Sequence, residues 1–273
     1  MIFLGTGTSA GIPMIGCDCQ VCRSADPRDQ RTRSSLLVRY PDAATDEDAG
    51  PPVRQFLIDS SPEIRIQAVR EGLDRLDGVL YTHAHADHIF GIDDLRRFNA
   101  VMGTPLDLYA EPGVIQTLQQ MFPHIFASHR NVNRSFVAEL LPRPLAIEQP
   151  LNLFGATWTP LRLMHGRLPV TGFRIDYGGR STAYCTDVSR IPPETLPYLA
   201  DLDVLIIDAL RYRHHPTHLS VDQALNVIAQ VRPRRAYFTH IAHDICHAEL
   251  EPRLPEAVHL AHDGLLVTLS EPI

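Results

Sequence analysis

Apolar runs punctuated by glycine, proline and charged stretches set the frame of this chain. Ile2-Phe3-Leu4 starts a strand, Ser35 to Tyr40 and Arg54 to Ile58 alternate or run apolar as two more, and Gly78-Val79-Leu80-Tyr81 reads as a buried one. Leu106 to Tyr109, Trp158 to Leu163 and Ala236 to Phe238 continue the series. Val204-Leu205-Ile206-Ile207 is an unbroken β-branched and leucine run, as a strand covered on both faces requires; it ends at Asp208. Gly172 to Tyr184 folds back around Gly178-Gly179 as a hairpin, and Val258 to Leu269 supplies closing strands.

Helical spacing appears between these strands. Ser60 or Ser61 caps a helix with Pro62 in its first turn and Gly72 at its end; Ile64, Ala68 and Val69 give it a buried side, with Ile66 less well placed. Ile92 to Val101 and Val114 to Phe122 read as two more helices, and Ser220 with Gln223 forms a capping box before another. Pro41 to Pro52 is acidic, small and proline-bearing, which predicts a mobile hairpin loop and no domain boundary. Residues 123–150 are the least legible, and His124 and His129 within them are expected at the surface. No internal repeat stands out at solenoid spacing.

Composition narrows the class. The chain has 273 residues, 44% of them hydrophobic, enough for a sizeable core. No apolar run approaches the roughly 20 residues of a membrane span, and no signal sequence is read at the start, so a soluble, cytoplasmic protein with no membrane partner is expected. A formal charge of -7 argues against broad nucleic-acid binding. All 25 basic residues are arginine, which removes Schiff-base and Walker-type lysine chemistry.

The chemistry concentrates in Thr82-His83-Ala84-His85-Ala86-Asp87-His88, directly behind the buried strand. His83 and His85 point to one side of an extended segment, and Asp87 and His88 follow once the chain has turned, so each pair can serve its own cation. Later apolar runs end at His165, Asp187 and His240. A second cluster, Cys17-Asp18-Cys19-Gln20-Val21-Cys22, reads in a cytosolic protein as thiolate metal binding, or as reduced, metal-free cysteines. Three thiolates leave a tetrahedral zinc one ligand short; His243 is the expected fourth, with Cys246 a weaker alternative.

The His-x-His-x-Asp-His motif resembles that of the metallo-β-lactamase superfamily. The resemblance implies an α/β chain folded as a four-layer αβ/βα sandwich with two central mixed β-sheets, one domain over residues 1–273 carrying a variable insertion at about 123–150 above the active site. It implies that His83 and His85 hold a first metal with His165, that Asp87 and His88 hold a second with His240, and that Asp187 bridges both. The zinc at Cys17, Cys19, Cys22 and His243 matches a structural zinc in one branch. Asp59 ends its strand beside the cluster in the family's pattern, to orient a ligand histidine or to cap the helix. Gly5-Thr6-Gly7-Thr8-Ser9-Ala10-Gly11 lacks dinucleotide-fingerprint spacing and is expected to let backbone pass close to the metal rim.

Two zinc or manganese ions about 3.5 to 4 Å apart can share a hydroxide and neutralise an attacked ester, so hydrolysis is the expected reaction. The thiolate cluster, the opening Gly-Thr-Gly-Thr-Ser and the segment Asp208 to Ser220 resemble PhnP-like phosphodiesterases. That implies a small-molecule substrate such as phosphoribosyl 1,2-cyclic phosphate, and a homodimer. His218 matches the family's general acid, with Asp87 beside it in the machinery; His214 and His215 compete for the acid role, or His218 is a loop residue bonded near Ser220. Arg211 and Arg213 bind a second phosphate or are solvated. Three rivals stand beside this reading: a tRNA 3′-processing endonuclease, although no basic arm is visible, a thioester or lactam hydrolase, and a non-catalytic metal-binding module of cofactor biosynthesis.

Overall fold

In the computed structural model, which describes residues 1–42, 52–132 and 136–269, the strands join in chain order into two mixed sheets. The first holds β1 (Ile2–Gly5), β2 (Ser35–Pro41), β3 (Val53–Ile58), β4 (Gly78–Leu80), β5 (Leu106–Ala110) and β6 (Leu140–Pro144). It is antiparallel from β1 to β3 and parallel from β3 to β6. The second holds β7 (Leu151–Leu153), β8 (Ala156–His165), β9 (Leu168–Tyr177), β10 (Arg180–Cys185), β11 (Val204–Asp208), β12 (Arg235–Thr239) and β13 (Val258–Leu260). It is antiparallel from β7 to β10 and parallel from β10 to β13.

Alternation along the strands builds the layers. Leu36, Val38 and Tyr40 of β2, Phe56 and Ile58 of β3, and Val204 and Ile206 of β11 enter one core between the sheets, with Trp158 and Phe173 among them. Their sequence neighbours face outward to helices. Leu37 and Leu57 meet α1 (Ile64–Arg70), α2 (Ala86–Ile89), α3 (Arg96–Met102), α4 (Pro112–Met121) and α5 (Pro123–Phe126). Leu205 and Ile207 meet α6 (Val221–Val231), which opens with the expected capping box of Ser220 and Gln223. The result is the α/β four-layer sandwich with helices outside both sheets.

Several local expectations are corrected. Neither serine caps α1: Glu63 is the cap residue and makes no side-chain capping bond, Ser60 Oγ lies 2.6 Å from the Tyr81 hydroxyl, and Ser61 Oγ donates to Gln67. Val69 is 74% exposed, and Gln67 takes the buried position because its amide donates to Thr32 and to the Arg33 carbonyl. The helix read over Ile92 to Val101 is a 3₁₀ turn at Ile92–Leu95 leading into α3. Residues 123–150 are not wholly an insertion, since β6 within them pairs with β5. Beyond β13 the described residues hold an isolated bridge from Leu266 to Ile2 in place of a further closing strand. Of the acidic loop, residues 43–51 lie outside the described residues; Asp42 N donates to Pro52 O at its base. No helix among the described residues is long and apolar enough to cross a membrane.

Six strands deliver their carboxyl ends to one rim. There β3 is followed by Asp59, β4 by Thr82 to His88 and β10 by Asp187, while β8 ends at His165, β11 at Asp208, and β12 just before His240. In α/β sheets this edge is where ligands bind.

Candidate metal centre

The rim brings the seven expected residues together. Asp87, His88, Asp187 and His240 offer ligand atoms that all lie within 4.8 Å of one another, and His83, His85 and Asp187 form a second such set. His165 joins through its ring, 5.7 Å from that of His83 and 5.1 Å from that of His85. Asp187 belongs to both of these sets and to a third with His165 and His218, as a carboxylate shared between them would.

Hydrogen bonds on the far side of the rings fix which nitrogen faces inward. His88 Nδ1 donates to Asp59 Oδ2 at 2.7 Å, and His165 Nδ1 donates to the Thr217 carbonyl at 2.8 Å. Thr82 Oγ1 accepts from His83 Nδ1 at 2.9 Å and passes its own proton to Asp59 Oδ2 at 2.8 Å. Asp59 therefore orients two histidines at once, which turns their Nε2 atoms toward the cluster. Asp59, Asp187 and His240 hold φ values of 60°, 51° and 57°, a backbone region costing about 1–3 kcal/mol for such residues. Three of the seven non-glycine residues with positive φ among those described thus sit on this rim.

The donor set fits divalent cations. The Nε2 atoms of His83, His88 and His240 are buried without a hydrogen-bond partner. Their nearest carboxylate oxygens stand 3.2 to 3.7 Å away, a spread suited to atoms that surround a common centre and not to bonds with each other. Imidazole and carboxylate together suit zinc or manganese. Burial alone would raise Asp187, yet His240, His88 and His83 together hold its carboxyl well below the usual range. Burial pushes His83 well down and His165 to about 4, which keeps each ring neutral, its proton on Nδ1 and its Nε2 free as a ligand's must be. Against burial, the surrounding carboxylates raise His88 well up and His240 to about 9.

Beside the cluster stands a pair the sequence reading half missed. Asp208, completely buried at the end of β11, accepts from His218 Nδ1 at 2.6 Å and from Val188 N at 3.0 Å. The His218 ring stacks on His240 at 4.6 Å and meets His165 edge-on at 4.5 Å, and its Nε2 is the ring nitrogen not engaged by Asp208. The signal for Asp208 was present: a carboxylate closing an otherwise wholly apolar strand. His215 lies one ring further out, 5.1 Å from His218, whereas His214 is exposed and outside the cluster. Arg211 donates to the carbonyls of Arg213 and His214, and Arg213 reaches Asp244 at 3.4 Å. His124 is exposed and bonds Asp93.

The thiolate group also assembles. His243 Nδ1 lies 3.2, 3.4 and 3.8 Å from the sulfurs of Cys17, Cys19 and Cys22. The Cys22 N–H donates to Cys19 Sγ and lowers that thiol to about 6, while Met14 N donates to Cys22 Sγ. These four residues could hold a tetrahedral cation. Cys246 packs against them, but its thiol donates to Asp29 at 3.8 Å. Glycines at the opening turn serve a different approach than expected: a Cβ on Gly7 would stand 2.6 Å from the Arg31 carbonyl, not against a metal ligand.

Residues 54–241 match the family model of the beta-lactamase superfamily domain. A crystal structure of a new diphosphatase from the PhnP family resembles this fold with a TM-score of 0.83 and 38% identity, covering 97% of this chain and 95% of that one. Zinc-bound PqqB from Methylobacterium extorquens shares the fold at a TM-score of 0.76 and 22% identity, over 98% of this chain and 99% of that one. An octanoyltransferase of Porphyromonas gingivalis is 37% identical over 272 residues, 99% of this chain, but the chain spans only 51% of that relative.

Proposed function

This chain belongs to the beta-lactamase superfamily, and from that premise we propose that it is a PhnP-like, two-metal phosphodiesterase acting on a small phosphodiester, cyclic ones included. One observation carries the reading: five histidines and two aspartates converge on a single rim, with an aspartate-held imidazole beside them. In this reading His83, His85 and His165 hold one cation, Asp87, His88 and His240 the other, and Asp187 both. Cations bound there supply positive charge against the phosphoryl oxygens and acidify water. The chain's own contribution is to exclude bulk solvent from the buried ligands, to orient their Nε2 atoms through Asp59 and Thr82, and to hold a proton on His218 Nε2 for the departing oxygen. Asp208 keeps that ring in place.

Cys17, Cys19, Cys22 and His243 take the role of a structural zinc site that pins the N-terminal loop to the segment after β12. The whole of 1–273 acts as one domain, and the cytoplasm is its compartment. A diphosphate ester is the second substrate class, supported by the similarity to the PhnP-family diphosphatase. Octanoyl transfer draws only on the name of a relative of which this chain spans about half.

Zinc- or manganese-loaded protein is expected to hydrolyse bis(p-nitrophenyl) phosphate, and His85→Ala to remove that activity. Turnover confined to a thioester or a lactam would overturn the reading.

A further inference from the structure

A buried ion pair bonds the stretch of chain that carries His243 and follows His240. The side chains of Arg31 and Asp29 are both 0% exposed and meet at 2.8 Å. Burying a guanidinium is costly, and an apolar side chain of similar volume would fill the space without that cost. What only the guanidinium fork can do is hold several acceptors at once.

Those acceptors lie on one short segment. Arg31 Nη2 donates to the Ile245 carbonyl at 2.9 Å and Nη1 to the Ala242 carbonyl at 3.3 Å, while Nε has no partner. Asp29 Oδ1 accepts from His247 N at 2.9 Å, and its other oxygen faces the Cys246 thiol. The pair thus grips both ends of 242–247, with His243 between. His240 lies two residues before this segment, whose entry is fastened to the opening turn: Ile241 N donates to Thr6 O at 2.9 Å and Thr8 N to Ile241 O at 3.2 Å. Arg31 also exchanges both backbone hydrogen bonds with Ile12, a few residues before Cys17. Arg31 therefore joins, through its backbone, the start of the loop that carries the three cysteines and, through its guanidinium, the carbonyls on either side of the thiolate-site histidine, the first of them two residues after the rim histidine.

We propose that Arg31 is a positioning residue that couples the two centres: by fixing the Ala242 and Ile245 carbonyls it makes cation binding at Cys17, Cys19, Cys22 and His243 tighten cation binding at the rim through His240. The proposal rests on the two-metal reading above. Its physical basis is that 240–243 is too short to absorb a displacement of His243, so order imposed at one end reaches the other.

The test is a double-mutant cycle on zinc affinity, measured at the rim by competition with a chromogenic chelator. Cobalt-thiolate absorption reports separately on the cysteine centre. Disabling that centre with Cys17→Ser is expected to weaken rim affinity about tenfold, within the usual range of coupling between sites. Arg31→Met is expected to produce a similar loss while the cobalt-thiolate band persists, and adding Cys17→Ser to it to cause no further loss. Arg31→Lys, which retains charge but cannot span both carbonyls, serves if the methionine variant does not fold. Unchanged rim affinity in Cys17→Ser, or losses that simply add, would overturn the coupling and leave the two-metal reading standing. No zinc at the rim in the unaltered protein would sink both.

Discussion

Replacing His218 by alanine should matter in proportion to how badly the departing oxygen needs a proton. Asp208 Oδ2 sits 2.6 Å from His218 Nδ1, a charge-assisted bond worth about 1.5–3 kcal/mol, and the stacked ring has little freedom to reorient. General-acid loss costs roughly 10²- to 10⁴-fold where the leaving group is an alkoxide, as in a five-membered cyclic phosphate. A nitrophenolate leaves unaided, so the same substitution should cost only a few-fold on bis(p-nitrophenyl) phosphate, about 0.5–1 kcal/mol in the barrier. Asp208→Asn should follow the same pattern at about 10- to 100-fold on the cyclic substrate, because 1.4 kcal/mol is about one decade. The double variant should be no slower than His218→Ala, since the two act as a unit. Steady-state kcat/KM on both substrates, with unchanged thermal melts, gives the answer. Equal losses on the two leaving groups, or losses that multiply in the double variant, would refute the acid role.

Other consequences are simpler to state. Exhaustive chelation should abolish turnover, and zinc or manganese should restore it; activity that survives verified metal removal contradicts the reading. Asp59→Asn removes the carboxylate that orients His88 and, through Thr82, His83, so competition titration should show metal bound roughly 10- to 100-fold more weakly. Trp158 is wholly buried between the sheets, against Phe56 and Phe173 and with its indole N–H on the Tyr40 hydroxyl. Trp158→Ala should therefore lower the urea-unfolding free energy by about 3–5 kcal/mol; a shift below 1 kcal/mol would show that the two sheets do not share that core.

What could be read beforehand was what local pattern controls. The strand runs and the capping box at Ser220 were legible because side-chain alternation and the box's paired bonds are properties of neighbouring residues. Sequence placed His83, His85, Asp87 and His88 together by adjacency, and His165, Asp187 and His240 through the family resemblance, since spacing alone cannot join residues so far apart. Tertiary partners decided the rest. Ser60 and Ser61 look like caps, but Tyr81 and Gln67 claim their hydroxyls; Gln67 is buried in preference to Val69 because two acceptors near Thr32 await its amide. Strand β6 was hidden by its two prolines, which an edge strand tolerates. Asp208 gave a signal without a partner, as His218 reaches it only through the turn after β11.

The claim on which everything else depends is that one rim binds two cations through seven side chains. Anomalous diffraction at the zinc edge, from crystals of zinc-loaded protein, tests it directly. The account predicts two peaks flanking the Asp187 carboxylate, one among His83, His85 and His165 and one among Asp87, His88 and His240, with a third at Cys17, Cys19, Cys22 and His243. Absence of density at the rim, or zinc bound away from Asp187, would contradict it.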